Sequence, residues 1–231
     1  MCGRFSLVSP DTILEQLDLA GAFPDWSASF NIAPGRELPC VVNHHESSRR
    51  ARLLRWGLVP SWAEDPRIGF KMINARRESV ATKPSFRDAY ARRRCLVLAD
   101  GFYEWRAEGK KKTPFYFRRR SREPFAFAGL WASWCSKDES EGARLDTVTI
   151  ITAPANELVA PVHDRMPVIV SAQDYGRWLS PELLEPVAVD DILAHPAYDE
   201  FESFEVSRLV SSVSNDGPEL IEPGPSQQRL F

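Results

Sequence analysis

The chain has 231 residues, of which 43% are hydrophobic and 11% aromatic, and its formal net charge is −3 at pH 7. This composition can bury enough apolar surface to offset chain entropy, which excludes a wholly disordered protein and favours one globular domain. The first twenty residues lack a basic start followed by an apolar run, so we expect no secretory signal. The most apolar stretch, residues 148–170, contains three prolines and several charges and therefore predicts no membrane span.

Charge and cysteine content favour a cytoplasmic protein with a polyanionic partner. Residues 1–122 hold 23 Lys and Arg against 13 Asp and Glu, whereas residues 123–231 hold 6 against 19. A basic half with interleaved aromatic residues favours binding to a nucleic acid, although solvated surface charge accounts for many of these residues. The four cysteines form no C-x-x-C pair, so we expect neither a disulfide framework nor a zinc site.

The chain alternates between short predicted elements, because Pro and Gly occur 18 and 12 times. Ser9-Pro10 predicts the start of a helix that buries Ile13, Leu14 and Leu17, and a second helix is predicted over residues 85–94. Runs rich in β-branched and aromatic residues predict strands at Pro39–Val42, Arg52–Leu54, Cys95–Leu98, Phe102–Trp105, Phe115–Phe117, Phe125–Phe127 and Thr147–Thr152.

The order of the elements predicts the fold class. Glu108-Gly109 is typical of a hairpin turn, and helical patterns return at residues 171–178 and 190–193. Because strands and helices do not alternate regularly, we expect an α+β domain that is largely antiparallel and not doubly wound. The domain is predicted to end near residue 217, with residues 218–231 as a flexible tail.

The chain begins Met1-Cys2-Gly3-Arg4-Phe5, which can provide an unusual nucleophile. Removal of Met1 leaves Cys2 with a free α-amine and a thiol. The amine, with an ordinary pKa of about 7.7–8.0, can attack an aldehyde to form an imine, which the thiol can close into a thiazolidine ring. By position alone, a small buried residue is the better interpretation of Cys2. Gly3, which admits a substrate, and Arg4, which favours thiolate and phosphate, support the reactive interpretation.

Two segments carry groups that can assist such a nucleophile. Asn74 offers hydrogen-bond donors and an acceptor, and Arg76 can clamp a phosphate through its planar guanidinium. Glu104 lies between two aromatic residues that can raise its pKa toward neutrality, and Trp105 can stack on a base. Alternation along the strand instead favours a solvent-facing Glu104.

A third segment contains His163, Asp164 and Arg165 between two prolines. Histidine titrates near neutral pH, so His163 is a candidate acid or base, and its charged neighbours argue against a bare core histidine. The basic stretches 49–55, 110–112 and 118–122 are generic and are interpreted as solvated strand edges.

These segments resemble the SRAP family (SOS response-associated peptidase domain), whose members are abasic-site processing proteins. In the family's order they are Met1-Cys2-Gly3-Arg4-Phe5, Asn31-Ile32-Ala33-Pro34-Gly35, Trp56-Gly57-Leu58-Val59-Pro60-Ser61-Trp62, Asn74-Ala75-Arg76, Ala99-Asp100-Gly101-Phe102-Tyr103-Glu104-Trp105, Pro154-Ala155-Asn156, His163-Asp164-Arg165-Met166-Pro167 and Asn215-Asp216-Gly217-Pro218-Glu219-Leu220. The chain departs from the usual family pattern at Arg77-Glu78 and at Ser207-Arg208, and neither departure includes a candidate catalytic residue.

The resemblance implies a DNA-damage function for the chain. Cys2 is expected to crosslink to the ring-opened aldehyde of an abasic site in single-stranded DNA, with Asn74, Glu104 and His163 around it as the catalytic group. The predicted DNA contacts are Arg4, Arg76, Trp105 and Arg165. The family name also implies a cysteine-type peptidase activity, which can be limited to self-processing.

The resemblance further implies the architecture and the setting of the protein. We expect a single compact domain over residues 1–217, with a barrel-like β core and flanking helices. We expect no metal, nucleotide or other cofactor. The protein is expected to be a cytoplasmic monomer that associates with the nucleoid when DNA is damaged.

Three functions from other classes remain open at this point. A Met-Cys-Gly start also resembles class II glutamine amidotransferases, in which the amino-terminal cysteine attacks an amide, although the internal segments argue against this assignment. A protease would use Cys2, Glu104 and His163 but would not need Arg76 or stacking aromatic residues. A non-catalytic nucleic-acid-binding module would be indifferent to Cys2.

Overall fold

A computed structural model describes residues 2–23, 25–44, 48–136, 144–180, 186–194, 197–198 and 200–224. Its strands are β1 (Phe5–Leu7), β2 (Ser29–Ile32), β3 (Glu37–His44), β4 (Ser48–Trp56), β5 (Asn74–Arg76), β6 (Arg94–Ala99), β7 (Gly101–Glu108), β8 (Lys111–Arg119), β9 (Phe125–Cys135), β10 (Arg144–Pro154), β11 (Arg165–Pro167), β12 (Ile169–Val170) and β13 (Phe201–Glu205). Its α-helices are α1 (Asp11–Gln16), α2 (Arg87–Arg92), α3 (Tyr175–Leu179) and α4 (Pro186–Ala194).

Five long strands close into a barrel in the order β10-β4-β3-β6-β9, and the ring is completed by the pairing of β9 with β10. That last pairing is antiparallel and runs from Arg144 opposite Cys135 to Ile150 opposite Gly129. β10 also pairs in parallel with β4 and β5. Closure removes the exposed strand edges that an open sheet would present. The predicted α+β class with a largely antiparallel, barrel-like core is confirmed.

A second sheet, in the order β13-β8-β7-β1-β2, carries the start of the chain. All of its pairings are antiparallel, and β1 is held between β2 and β7. Phe5 of β1 packs into the barrel core, with its ring centroid 5.1 Å from that of Trp56 and 5.6 Å from that of Phe127. The amino-terminal strand therefore joins the two sheets.

Two glycines of the second sheet have distinct reasons to be glycine. The predicted hairpin turn joins β7 to β8, and Gly109 adopts a φ of +61° that side chains disfavour. Gly101 lies so close to Tyr116 that an added Cβ would meet the ring at 2.1 Å. A side chain at residue 101 would therefore displace the aromatic ring beneath β7.

Most of the predicted elements are confirmed. All seven predicted strand runs lie inside β3, β4 and β6–β10. Ile13 and Leu14 of α1 are buried as expected, and so is Leu17, which directly follows the helix. The second predicted helix begins at Arg87, two residues later than Ser85. No helix in the described ranges combines the length and the apolar character that a membrane crossing requires.

The described part of the expected tail is packed against the domain. Residues 218–221 form a 3-10 turn that buries Leu220 completely. Val206 then forms a bridge with Pro223, and the Gly224 amide donates to the Glu205 carbonyl at 2.8 Å. The ordered chain therefore continues past residue 217, and residues 225–231 lie outside the described part.

Leu220→Ala tests this packing. Removal of a fully buried leucine side chain leaves a cavity, so we expect the free energy of unfolding to fall by about 2–5 kcal/mol. Leu209→Ala is the matched control, because the Leu209 side chain is 53% exposed and its loss should cost much less. Urea unfolding of both variants and the parent measures the difference, and equal losses would contradict a packed segment 218–224.

Candidate functional site

Cys2 lies at the junction of the two sheets and is completely buried. Its main-chain carbonyl accepts a hydrogen bond of 2.7 Å from Nδ2 of Asn74. Burial, reinforced by the negative charge of Glu104, raises the pKa of the Cys2 thiol well above its ordinary value. The thiol is therefore neutral at pH 7, although the neighbouring Arg4 had suggested a thiolate.

The short strand β5 presents Asn74 and Arg76 on the same side. It pairs in parallel with β10, with Asn74 opposite Ile150 and Arg76 opposite Thr152, and the intervening Ala75 is buried. Oδ1 of Asn74 is buried and accepts no hydrogen bond from the described residues. An acceptor so placed, beside the carbonyl of Cys2, can receive a proton donor of a bound substrate.

Arg76 differs from Asn74 in being exposed. Within the part of the chain that the structure describes, its guanidinium makes no hydrogen bond or ion pair. The predicted phosphate-binding group is thus available to a ligand.

Glu104 lies on β7 beside the amino-terminal strand and is only 2% exposed. The solvent-facing alternative that alternation favoured is wrong, because both faces of this part of the sheet are covered. Burial raises the pKa of Glu104 to about 7, against an opposing effect of the positively charged amino terminus. The predicted shift toward neutrality is confirmed, and the carboxyl can both donate and accept a proton near pH 7.

His163 precedes β11 and has its Nδ1 atom near two different partners. Nδ1 accepts a hydrogen bond of 2.9 Å from the Arg165 amide and also lies 2.9 Å from Oδ1 of Asp164. In the neutral ring Nδ1 accepts the amide hydrogen, whereas in the protonated ring Nδ1–H faces the carboxylate. Burial lowers the pKa of His163, and the amino terminus acts in the same direction, so the neutral form prevails at pH 7.

Arg165 is engaged by protein groups, although it was predicted to contact DNA. Its Nη1 and Nη2 atoms donate to the two carboxylate oxygens of Glu78, at 2.5 and 3.0 Å, and Nη2 also donates to the Thr152 carbonyl. The side chain is 11% exposed. This bidentate ion pair holds the turn that carries His163 against the strands β5 and β10.

An open cleft of about 640 Å³ lies over this region. It is lined by Arg4, Glu104, Trp105, Lys110, Lys112, His163 and Ser211. The cleft thus brings together four of the residues predicted from the sequence, Arg4, Glu104, Trp105 and His163. Lys110 and Lys112 had been interpreted only as solvated strand charge, since sequence alone does not show which lysines face a cleft.

Arg4 and Trp105 build one wall of the cleft. Nη1 of Arg4 donates to Oδ1 of Asn31 at 2.7 Å and to the Val210 carbonyl at 2.8 Å, and the guanidinium carbon lies 5.8 Å from the centroid of the Trp105 ring. Nε1 of Trp105 donates to Oγ of Ser211 at 3.2 Å. Arg4 therefore orders the wall, and part of its hydrogen-bonding capacity is already used.

Sequence reasoning missed the parts played by Asn31 and Glu78. Nδ2 of Asn31 donates to the carbonyls of Val210, Ser212 and Asn215, which ties the C-terminal turn to β2. Sequence analysis had named Asn31 only within a segment shared with the family, and Glu78 only within a departure from it. Among the described residues no group of three or more His, Cys, Asp or Glu side chains could hold a metal ion.

The raised pKa of Glu104 makes stability depend on pH. The pKa is about 7 in the folded chain against an ordinary 4.5, so the folded state binds this proton more tightly than the unfolded state. The contribution is complete below pH 4.5 and is lost as the pH rises through 7. Between these limits we expect the unfolding free energy of the parent to fall by about 3 kcal/mol relative to that of Glu104→Gln.

Urea unfolding at pH 4.5 and pH 8 measures this difference. Glu108→Gln is the matched control, because Glu108 lies on the same strand with an exposed side chain. It should keep the pH dependence of the parent. The same pH dependence for Glu104→Gln and the parent would show that Glu104 does not titrate as described.

Comparison with known proteins identifies the family. The model of the family described as SOS response associated peptidase (SRAP) matches residues 1–213. The chain is 43% identical over 226 residues to the abasic site processing protein YoqW of Bacillus subtilis (strain 168), covering 96% of this chain and 99% of that protein. It is 31% identical over 233 residues to the abasic site processing protein YedK of Escherichia coli (strain K12), covering 96% and 100%.

Solved structures agree on the fold. An X-ray crystal structure of a protein from Bacteroides thetaiotaomicron superposes with a TM-score of 0.82 at 24% identity, covering 96% of this chain and all of that one. The chain belongs to the SRAP family.

Proposed function

We propose that this protein processes abasic sites in single-stranded DNA and that Cys2, exposed as the first residue after removal of Met1, bonds covalently to the sugar aldehyde. The observation that carries the proposal is that Glu104 and His163 line a cleft with cationic walls, while Cys2 lies buried beside Glu104 with its carbonyl hydrogen-bonded to Asn74. The relatives named as abasic site processing proteins support the same substrate.

The proposed reaction needs no oxidant or cofactor. The α-amine of Cys2 adds to the aldehyde carbon, and loss of water gives an imine. The thiol then adds to the imine carbon while its proton passes to the nitrogen, which closes a thiazolidine ring. Since burial keeps the thiol neutral, attack by the amine precedes attack by sulfur.

Glu104 and His163 divide the proton transfers. Glu104, with a pKa of about 7, can protonate the departing hydroxyl and then pass the proton of the thiol to the imine nitrogen. His163 is mainly neutral at pH 7 and can activate the water that hydrolyses the imine during release. Different pKa shifts of two neighbouring groups favour different roles for them.

The DNA contacts proposed here differ among the arginines. Arg76 is exposed and available to a phosphate, and Trp105 can stack on a base at the cleft. Arg165 is proposed to act as a positioning residue, because Glu78 and Thr152 occupy its Nη atoms. Arg4 lines the cleft and also donates a hydrogen bond to Asn31. We propose that it contacts DNA with its remaining N–H groups while it keeps that bond.

A peptidase activity is the second candidate, and the family description favours it. The thiol environment does not, because a cysteine peptidase attacks as a thiolate and burial raises the pKa of Cys2. We therefore propose that peptide cleavage is limited to self-processing at the amino terminus. An amidotransferase or another cysteine hydrolase would show no dependence on an aldehyde in DNA.

Cys2→Ala tests the nucleophile. Mixing with an abasic single-stranded oligonucleotide should give the parent protein a mass increase equal to the oligonucleotide less one water, whereas Cys2→Ala should form no thiazolidine. Cys135→Ala is the matched thiol control and should react like the parent, since Cys135 is exposed and lies at the end of β9. Intact-mass measurement also reports whether Met1 has been removed.

Two outcomes would contradict the cysteine mechanism. One is an adduct of undiminished yield with Cys2→Ala. The other is normal ring-closed product from a chain with an extra residue before Cys2, in which the α-amine has become an amide. Hydrolysis of a peptide or amide that depends on Cys2, without any DNA adduct, would support the hydrolase alternative.

His163→Ala tests the division of roles. Capture can proceed from a free amine and an aldehyde, whereas release needs protonation of the ring and an activated water. We therefore expect the variant to form the adduct but to transfer to a competing abasic oligonucleotide at a rate ~10²-fold lower. A chase of preformed adduct with labelled competitor on a denaturing gel measures this rate.

Asp164→Asn provides the comparison for this chase. It keeps the imidazole and removes only the carboxylate that faces Nδ1, so its exchange should be faster than that of His163→Ala. Exchange by His163→Ala at the rate of the parent would assign the imidazole a purely structural role.

A further inference from the structure

The tip of the β7–β8 hairpin carries three consecutive lysines, Lys110, Lys111 and Lys112, all of them exposed. None of the three makes an ion pair with the described residues, and the neighbouring Glu108 is engaged by Arg106 at 2.7 Å. The tip therefore projects positive charge that no acidic side chain described in the structure compensates.

Lys111 and Lys112 lie on opposite faces of the hairpin. Ala107 faces Lys112 and Trp105 faces Pro114, so Lys112 lies on the same face of the hairpin as Trp105. Lys111 faces Glu108 and lies on the opposite face, which is also the face of Glu104. The cleft borders both Glu104 and Trp105. Lys110 and Lys112 line the cleft together with Glu104 and His163, and Lys111 is absent from the described lining.

We infer that Lys110 and Lys112 form a phosphate-binding site for the DNA strand, a site distinct from Arg76 and resting on the proposed function. Arg76 comes from β5, which pairs with the barrel strand β10, whereas the lysine pair comes from the second sheet. The two cationic positions thus approach the catalytic group from different sheets.

The lengths involved fit a strand that passes over Trp105. Glu104 and the end of β7 at Glu108 are four residues apart, which is about 14 Å along an antiparallel strand. A DNA strand whose reactive sugar lies beside Glu104 can therefore place its next phosphates near Lys110 and Lys112, which border the same cleft. Ammonium groups on flexible stems bind phosphates as point charges, without selecting a base sequence.

The double substitution Lys110→Ala with Lys112→Ala tests the inference on an undamaged single-stranded oligonucleotide, which forms no adduct. Loss of two phosphate contacts should flatten the plot of log affinity against log salt by about 1.4, and should weaken binding about 25-fold at 0.1 M salt if the two lines meet at 1 M. Fluorescence anisotropy across a salt series measures both quantities.

Lys111→Ala is the matched control, since it removes the same charge from the same hairpin at a position outside the described lining of the cleft. It should change the slope by less than half as much as either Lys110→Ala or Lys112→Ala. The circular dichroism spectrum and the urea unfolding midpoint of the double variant should equal those of the parent, which shows that the variant folds.

Three other results would contradict the lysine site or the proposed function. An unchanged slope in the double variant, with normal binding and crosslinking by the parent, overturns the lysine site alone. Equal effects of all three single substitutions on the slope would show that the hairpin attracts DNA only through its total charge, and would also overturn the site. Absence of salt-dependent binding by the parent overturns the inference together with the proposed function.

Discussion

The amino-terminal strand is the constraint on which the site depends. Phe5 is inserted between Trp56 and Phe127 of the barrel, while main-chain pairing holds β1 between β2 and β7. Because Cys2 lies three residues before this anchor, its position follows from the packing of an aromatic side chain in the core. The same pairing with β7 places Glu104 beside the start of the chain, so one short strand positions both the proposed nucleophile and the proposed proton carrier.

Burial tunes the chemistry of this site more than ion pairing does. It raises the pKa of Cys2 and Glu104 and lowers that of His163, and in each case it is the largest cause. All three groups therefore favour their neutral forms, as expected where solvation of charge is lost. Exposed cations without an ion-pair partner among the described residues are found instead at the periphery, on Arg76 and the hairpin lysines.

The sequence predicted the long strands because their β-branched and aromatic runs are distinctive. Strands of two to five residues, such as β1, β5 and β11, are too short for any periodicity, and they carry or flank the site. The candidate residues themselves came largely from the family resemblance. For Glu104, the alternation of residues along the strand favoured a solvent-facing side chain, because such a pattern assumes that one face of the sheet is exposed, whereas here both faces are covered. Sequence also does not distinguish Arg76 from Arg165, since only the fold brings Glu78 to the latter.

The bonds from Asn31 to residues 210–215, and those of Asp216 with Ser29 and the Phe30 amide, have a consequence for biosynthesis. They join the first seventh of the chain to nearly its last residues, so the contact order of this wall is high. Residues 210–216 must leave the ribosome before the wall can close. Chains truncated before residue 210 therefore contain Cys2 without the hydrogen bonds that close this wall.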